Sequence, residues 1–285
     1  ALGVYITFRL LDFADLTVDG SIATGAAVSV MLIRAGVSPI ATLPIAFLAG
    51  ALAGMVTGLL NTALGIPGIL ASILTQISLY SINLNIMGKA NQPVSVDNYP
   101  LVVSLRYVTD GSVSRLLFFL GMIVFLLALI AVMYWYFGTE QGHAIRATGC
   151  NSNMARAQGI NTNFIKVLAL MISNGLVGLC GALYGQFQGA SDVNMGRGAI
   201  VIGLAAVIIG EVLFGKFASK RKLAFAFTLA SVILGAVIYY MVYQFVLWLK
   251  MPSEDMKLFS AIVVAIFLAI PYLKEKRTLR KGASK

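Results

Sequence analysis

Charge is what this chain has least of. Only 11% of its 285 residues are Asp, Glu, Lys or Arg, against about a quarter in an ordinary soluble domain, while 59% are hydrophobic and the mean hydropathy is +0.89. Such a composition cannot cover a water-facing surface, so neither a soluble fold nor room for a separate soluble domain remains. Cysteine occurs twice, Cys150 in a polar stretch and Cys180 inside an apolar one, which gives no disulfide framework and no metal-ligand spacing. Histidine occurs once, and a lone His143 in a loop carries no acid–base or metal chemistry. A nucleotide loop is missing too. Gly210–Lys216 begins like one, but Phe217 stands where Ser or Thr is required and no strand precedes it, so the stretch reads as a helix end with a basic cap. The net charge of +10 does not point to nucleic acid, because the basic residues gather at the ends of apolar segments, where topology and anionic lipid headgroups place them.

What is there is hydrocarbon in blocks. About nine apolar segments predict an all-α polytopic membrane protein of transmembrane or half-membrane helices, a single domain over 1–285. Ala1–Leu11 is too short to cross roughly 30 Å at about 1.5 Å per residue, so it is a partial span or the remainder of a longer one. The tail carries Lys274, Lys276, Arg277, Arg280 and Lys281, which sets the C-terminus in the cytoplasm. Counting back places the basic turn Lys216–Lys222 and the stretch Glu140–Asn161 on the same side. Gly88–Ser112, Gly189–Arg197 and Lys250–Lys257 then fall outside.

Glu140–Asn161 is a polar island between the spans Val113–Phe137 and Phe164–Gln186, with Arg146 and Arg156 inside it and Lys166 just beyond. Its alanines, with Gly149 and Asn151 in the middle, predict helix, turn, helix. Most helix connections run to about 2–8 residues, and structured loops several times longer are usually functional. Elsewhere the polar residues are few and therefore informative. Asp12, Asp15 and Asp19 interrupt the first apolar run, as helix caps or as pathway groups. In the span Ile66–Met87, Gln76 and Asn83 share a stripe with Ser72, and Ser78, Ser81 and Asn85 form a second. These must face protein or a water-filled cavity, so the helix is the candidate lining of a pathway, with interhelical hydrogen bonding as the plainer alternative. Asp192 and Asn194, in the polar break Gln186–Arg197, join Gln76, Asn83, Asp15 and Asp19 as candidate pathway residues. Glycines repeat every four residues at Gly50, Gly54 and Gly58 and again at Gly181, Gly185 and Gly189, a signal of close helix packing in membranes.

A shift of the sequence by 179 residues aligns Tyr5 and Phe8 with Tyr184 and Phe187, Ala26-Ala27-Val28 with Ala205-Ala206-Val207, and Gly36 with Gly215. Both copies break into polar residues before resuming as a short helix, and the topology above makes them enter the membrane from opposite sides. That is the form of an inverted repeat with interrupted helices at a central pathway.

Gly142, Ala147, Gly149, Asn151, Arg156 and Gly159-Ile160-Asn161 are spaced as in the cytoplasmic loop of the membrane-spanning permeases of ABC importers, the class handling branched-chain amino acids and ribose. Asp15-Leu16-Thr17-Val18-Asp19-Gly20-Ser21 is similar to that family's Asp-Leu-Ser-Val-Gly-Ser element, and the resemblance covers essentially the whole chain. It implies that the loop at about 138–163 couples to an ATPase through Gly142, Ala147, Gly149, Asn151, Arg156, Gly159 and Ile160. It also implies a second permease copy, two ATP-binding subunits that perform the ATP hydrolysis, an extracytoplasmic substrate-binding protein meeting Gly88–Ser112, and a bacterial inner membrane. No cofactor, metal or nucleic acid is implied. Two departures from the ribose permeases, Asp19 in place of a small residue and the basic run Lys216–Lys222 in place of a glycine-rich turn, turn the substrate toward amino acids, aromatic ones among them. A sugar or nucleoside permease of the same class and an ion-coupled secondary transporter are the competing readings. A structural membrane protein would leave the polar stripe of Ile66–Met87 without a purpose.

Overall fold

A computed structural model describes residues 1–94, 99, 101–103, 115–218 and 224–248, with 262, 265 and 269 beyond them. The basic turn beyond Ala218, the tail and the loop 250–257 lie outside the described residues, as does most of the loop 95–112 and of the span expected over 258–272. The chain forms two compact units, one of residues 6–200 and one of residues 1–5 with 201–285.

The four-residue α1, Leu2–Tyr5, belongs to the smaller unit; in the larger one a π-helical turn, Ile6–Leu10, leads through an irregular stretch into α2, Thr17–Arg34. Next come α3 (Pro39–Thr62), α4 (Gly68–Met87), β1 (Asn91–Pro93), α5 (Arg115–Phe137), α6 (Glu140–Cys150), α7 (Ser152–Ala157), α8 (Thr162–Gln188) and β2 (Ala190–Asp192). The local chemistry explains the boundaries. Pro39 opens α3 at a position whose N–H needs no partner. Gly88 and Gly189 end α4 and α8 in the left-handed region, at φ of 69° and 70°, where a side chain would be strained.

Helix α8 is the axis of this unit. Lipid supplies no hydrophobic drive between helices, so association depends on close backbone approach. A Cβ on Gly50 would overlap the carbonyl of Asn174, one on Gly54 the carbonyl of Leu170, and one on Gly58 the backbone of Val167. On another side of α8, a Cβ on Gly25 would overlap the carbonyl of Gly178, and one on Gly181 the carbonyl of Ile22, while one on Gly185 would press on Ala26. Helices α2 and α3 thus both lie in backbone contact with α8, and Gly178 is pressed from both sides, by Gly25 and Gly50. Helix α4 packs on α2, where Gly20 meets Leu79 and Gln76. By contrast α5 turns nearly all of its surface outward.

In the smaller unit, α9 (Ala199–Ala218) and α10 (Ala224–Trp248) cross at glycines, Gly210 against the Ser231 carbonyl and Gly235 against the Ala206 carbonyl. Val4 fills the space over Gly203, and Ala205, Ile209 and Tyr239 form a buried cluster. Helix α9 runs through Gly210–Lys216 without a break, so the sequence that imitates a nucleotide loop is ordinary helix.

Among the described residues five helices are long and apolar enough to cross a membrane, α3, α4, α5, α8 and α10, with α9 a shorter apolar helix. One feature had no signal in the sequence. β1 and β2 pair antiparallel, Asn91 opposite Asp192, Gln92 opposite Ser191 and Pro93 opposite Ala190. Two loops placed on the outer side by charge counting are thereby joined in one small platform, extended by Val94 N donating to the Gly189 carbonyl and Val193 N to that of Ala90.

Candidate functional site

The polar island folds as two helices at an angle set by one residue. Asn151, extended at φ −159°, ends α6, and its side-chain oxygen accepts from the N–H groups of Asn153 and Met154 at 3.1 and 3.0 Å, capping α7. Asn161 does the same for α8, accepting from Phe164 N at 3.2 Å, and Thr139 caps α6. Each polar residue at a boundary thus serves the helix that follows it.

The pair has an inner and an outer side. A Cβ on Gly149 would overlap the carbonyl of Leu10, and one on Gly142 the backbone of Phe137, so α6 is seated on the π-helical turn and on the end of α5. Gly149, expected on a docking surface, and Gly142, expected in the coupling loop, both lie on the inner side, where only glycine allows that approach. Ala147 and Ile160 are half-buried. The outer side belongs to α7 and the turn after it. Met154 is 63% exposed, Arg156 projects with its guanidinium donating to Thr162 Oγ1 at 3.1 Å, and Gly159 is exposed at φ +83° with nothing within 4 Å of where a side chain would begin. Phe164, 57% exposed at the start of α8, continues this edge. Met154, the Arg156 guanidinium and Gly159 thus stand exposed together on the outer side of the capped pair.

The second set of polar groups lies between the helices. The Asp15 carboxylate is buried, accepting from Thr17 N at 3.0 Å and from the Asn174 amide at 2.7 Å, while Ser21 donates to the Asn174 carbonyl oxygen at 2.7 Å. Thr17, Thr57 and Thr75 continue it as a hydroxyl chain joining α2, α3 and α4, with separations of 2.7 and 2.9 Å. Further along α8, the Gln186 amide donates to Ser29 Oγ at 3.1 Å and accepts from Val102 N at 3.1 Å, with Thr42 Oγ1 2.9 Å from Ser29 Oγ. These clusters were not assigned from sequence. The signal was present in Thr17, Ser21 and Thr24, polar at helical spacing on α2, and in Asn174 and Gln186 on α8.

Asp19 caps a helix, though not its own. From the first turn of α2 its carboxylate accepts from Gly198 N and Ile200 N, each at 2.9 Å, closing the N-terminus of α9. The residues joined by the first of these bonds are 179 apart, the offset of the internal alignment. Asp192 accepts from Asn194 N at 2.7 Å at the edge of the platform, leaving Asn194 exposed. On α4, Gln76 is half-buried beside Gly20, and Asn83 is fully buried. Asn85, Ser78 and Ser72 each donate to their own helix, at 3.0, 2.9 and 2.8 Å. No group of three or more His, Cys, Asp or Glu able to hold a metal occurs among the described residues.

Comparison with known proteins extends over this whole arrangement. Residues 1–271 match the family profile described as branched-chain amino acid transport system, permease component. The chain is 40% identical over 269 residues to the tyrosine transport system permease protein of Clostridioides difficile, covering 94% of this chain and 85% of that one. It is 26% identical to the inner membrane ABC transporter permease protein YjfF of Escherichia coli, covering 74% and 63% of the two chains. Identity to the autoinducer 2 import system permease protein LsrC of Yersinia pseudotuberculosis is 28%, covering 82% and 62%. No solved structure matches.

Proposed function

The chain belongs to the branched-chain amino acid transport system permease family, and from that premise we propose that it forms the solute pathway of an ATP-driven importer for an amino acid with an aromatic side chain. The observation that carries the reading is the capped helix pair α6–α7, whose exposed edge of Met154, Arg156 and Gly159 has the build of a docking element for an ATPase. An ion-coupled carrier has no need of such an element, and family membership sets that alternative aside. The substrate class rests on the tyrosine transport relative, which aligns with nearly the whole chain.

The assembly we infer has two copies of the permease, two ATP-binding subunits on the cytoplasmic side at α6–α7, and a substrate-binding protein on the platform of β1 and β2. The membrane is the bacterial inner membrane, with the C-terminus in the cytoplasm. Reconstitution of the permease with its ATPase and binding protein in liposomes, followed by uptake of labelled tyrosine, phenylalanine, leucine and ribose, tests this. ATP-dependent accumulation of the aromatic amino acids is the expected result. Accumulation of ribose alone, or uptake that persists without ATP under an ion gradient, would overturn it.

A further inference from the structure

The amide of Asn83 is out of place. The residue is 0% exposed, and neither its nitrogen nor its oxygen has a hydrogen-bond partner among the described residues. A side-chain amide offers two donors and an acceptor, and burying them without a partner from the protein is unfavourable wherever it occurs. In a seam built only for adhesion, an apolar residue of similar size would hold α4 to α2 better.

The surroundings give the orphan a setting. Asn83 shares its stripe on α4 with Leu79 one turn before and Met87 one turn after, all three buried. Near Leu79 the seam is tight, because Gly20 of α2 lies against Leu79 and the backbone of Gln76. At the other end Met87 is packed with Ala27 of α2 and with Val193, which directly follows β2. Asn83 is therefore enclosed between a glycine crossing and an apolar plug. The hydroxyls along both helices do not relieve it. Thr24 donates to the Gly20 carbonyl at 3.0 Å, Thr75 to that of Ala71 at 3.0 Å and Ser72 to that of Ile69 at 2.8 Å.

The plug is also tied to the platform. Gln92 of β1 donates to the Met87 carbonyl at 2.5 Å and bonds the guanidinium of Arg34 at the end of α2, while Val193 hangs from the ladder by its N–H to Ala90. A force applied to β1 and β2 reaches Met87 and Val193 without passing through any span.

We propose that the α2–α4 seam is a gate of the pathway, closed here by Met87 on Ala27 and Val193, which parts during transport and presents the Asn83 amide to a zwitterionic solute. The proposal rests on the importer reading above. The unpaired amide penalises the closed seam and is satisfied in the open one, by water and then by the ammonium or carboxylate of an amino acid, so the shut state is held no more firmly than transport requires.

Three variants in a background of Cys150→Ser and Cys180→Ser test it. Asn83→Leu removes the penalty; the isolated permease should unfold roughly 2–4 °C higher, and uptake by the full assembly should fall by about ten-fold or more. A lower unfolding temperature, or undiminished uptake, would show the amide to be ordinary packing. Asn83→Cys in the full assembly should be protected from a membrane-impermeant maleimide at rest and labelled during turnover with ATP and binding protein. Protection in every state overturns the gate. The pair Ala27→Cys with Met87→Cys, oxidised, should block uptake until reductant is added, and transport through the oxidised pair refutes it. If the wild-type assembly imports no amino acid, the importer reading falls by itself, and the unfolding temperature of Asn83→Leu with the labelling of Asn83→Cys still decides whether the seam opens.

Discussion

Asn174 shows how much one amide can hold in a low-dielectric core. It donates to the Asp15 carboxylate and to the Leu170 carbonyl and accepts from Ser21, so α2, α8 and the irregular stretch before α2 share one side chain. Replacement by alanine leaves a buried carboxylate and a buried hydroxyl without that partner, a loss of about 2–3 kcal/mol, more than the few tenths expected at an exposed site. Thermal unfolding of Asn174→Ala in detergent should show it, with Asn163→Ala, exposed at the start of the same helix, as the unaffected control. Asp19 makes a different point at the same scale. Its charge sits on the N-terminal dipole of α9, so Asp19→Ala should cost about 1–2 kcal/mol and Asp19→Asn less, because the amide keeps one of the two acceptor oxygens while losing the other and the charge. An unfolding temperature of Asp19→Asn equal to that of the parent would mean that the charge contributes nothing. The sequence offered Asp19 as a cap of the helix that follows it or as a pathway group. It caps another helix instead, which local spacing does not reveal, since the capped N–H groups lie 179 and 181 residues away.

At the scale of elements, spacing in the sequence translated well where backbone sterics decide and poorly where tertiary contact does. Gly50, Gly54 and Gly58 lie against α8 because a four-residue repeat keeps one stripe of α3 free of side chains, and that is legible from the letters alone. Gly54→Leu would drive a side chain into the Leu170 carbonyl and should lower the unfolding temperature sharply, or prevent assembly. A leucine at Gly121 of α5, where nothing lies within 4 Å of an added Cβ, should be neutral in the same measurement. The island between α5 and α8 was equally legible as two helices broken at Asn151, from cap chemistry. Which of its residues face out was not. Gly149 and Gly159 look alike in sequence, yet the first is pinned to Leu10 and the second stands free at φ +83°, a difference made by a turn about 140 residues earlier in the chain. Met154 carried no signal beyond its hydrophobicity. Its replacement by aspartate should leave the permease folded while reducing ATPase-coupled uptake by about ten-fold, since apolar anchors at the centre of an interface dominate binding. Normal coupling in Met154→Asp would move the docking surface elsewhere.

For the molecule as a whole, topology came from counting charges, and two natural cysteines can check it. Cys150 is exposed on α6 and Cys180 is exposed on the α8 span. An impermeant thiol reagent added to intact cells should spare Cys150 and label it once the membrane is opened. Cys180 should react in neither case, because a polar, impermeant reagent does not reach a thiol that faces hydrocarbon. Labelling of Cys150 from outside would invert the assignment. The interior crossing of α2, α3 and α8 has a further consequence, for biosynthesis. Helix α8 emerges from the ribosome about a hundred residues after α3, and it is α8 that carries the carbonyls on which the glycines of both earlier helices lie. Until Thr162–Gln188 enters the bilayer, Asp15, Ser21 and the glycine stripe of α3 face lipid or one another without their partner. The nascent chain therefore passes through a state with a slot held open, one that membrane quality control would recognise. Any change that delays the insertion of α8 would reduce the amount of permease made before it altered the permease that survives.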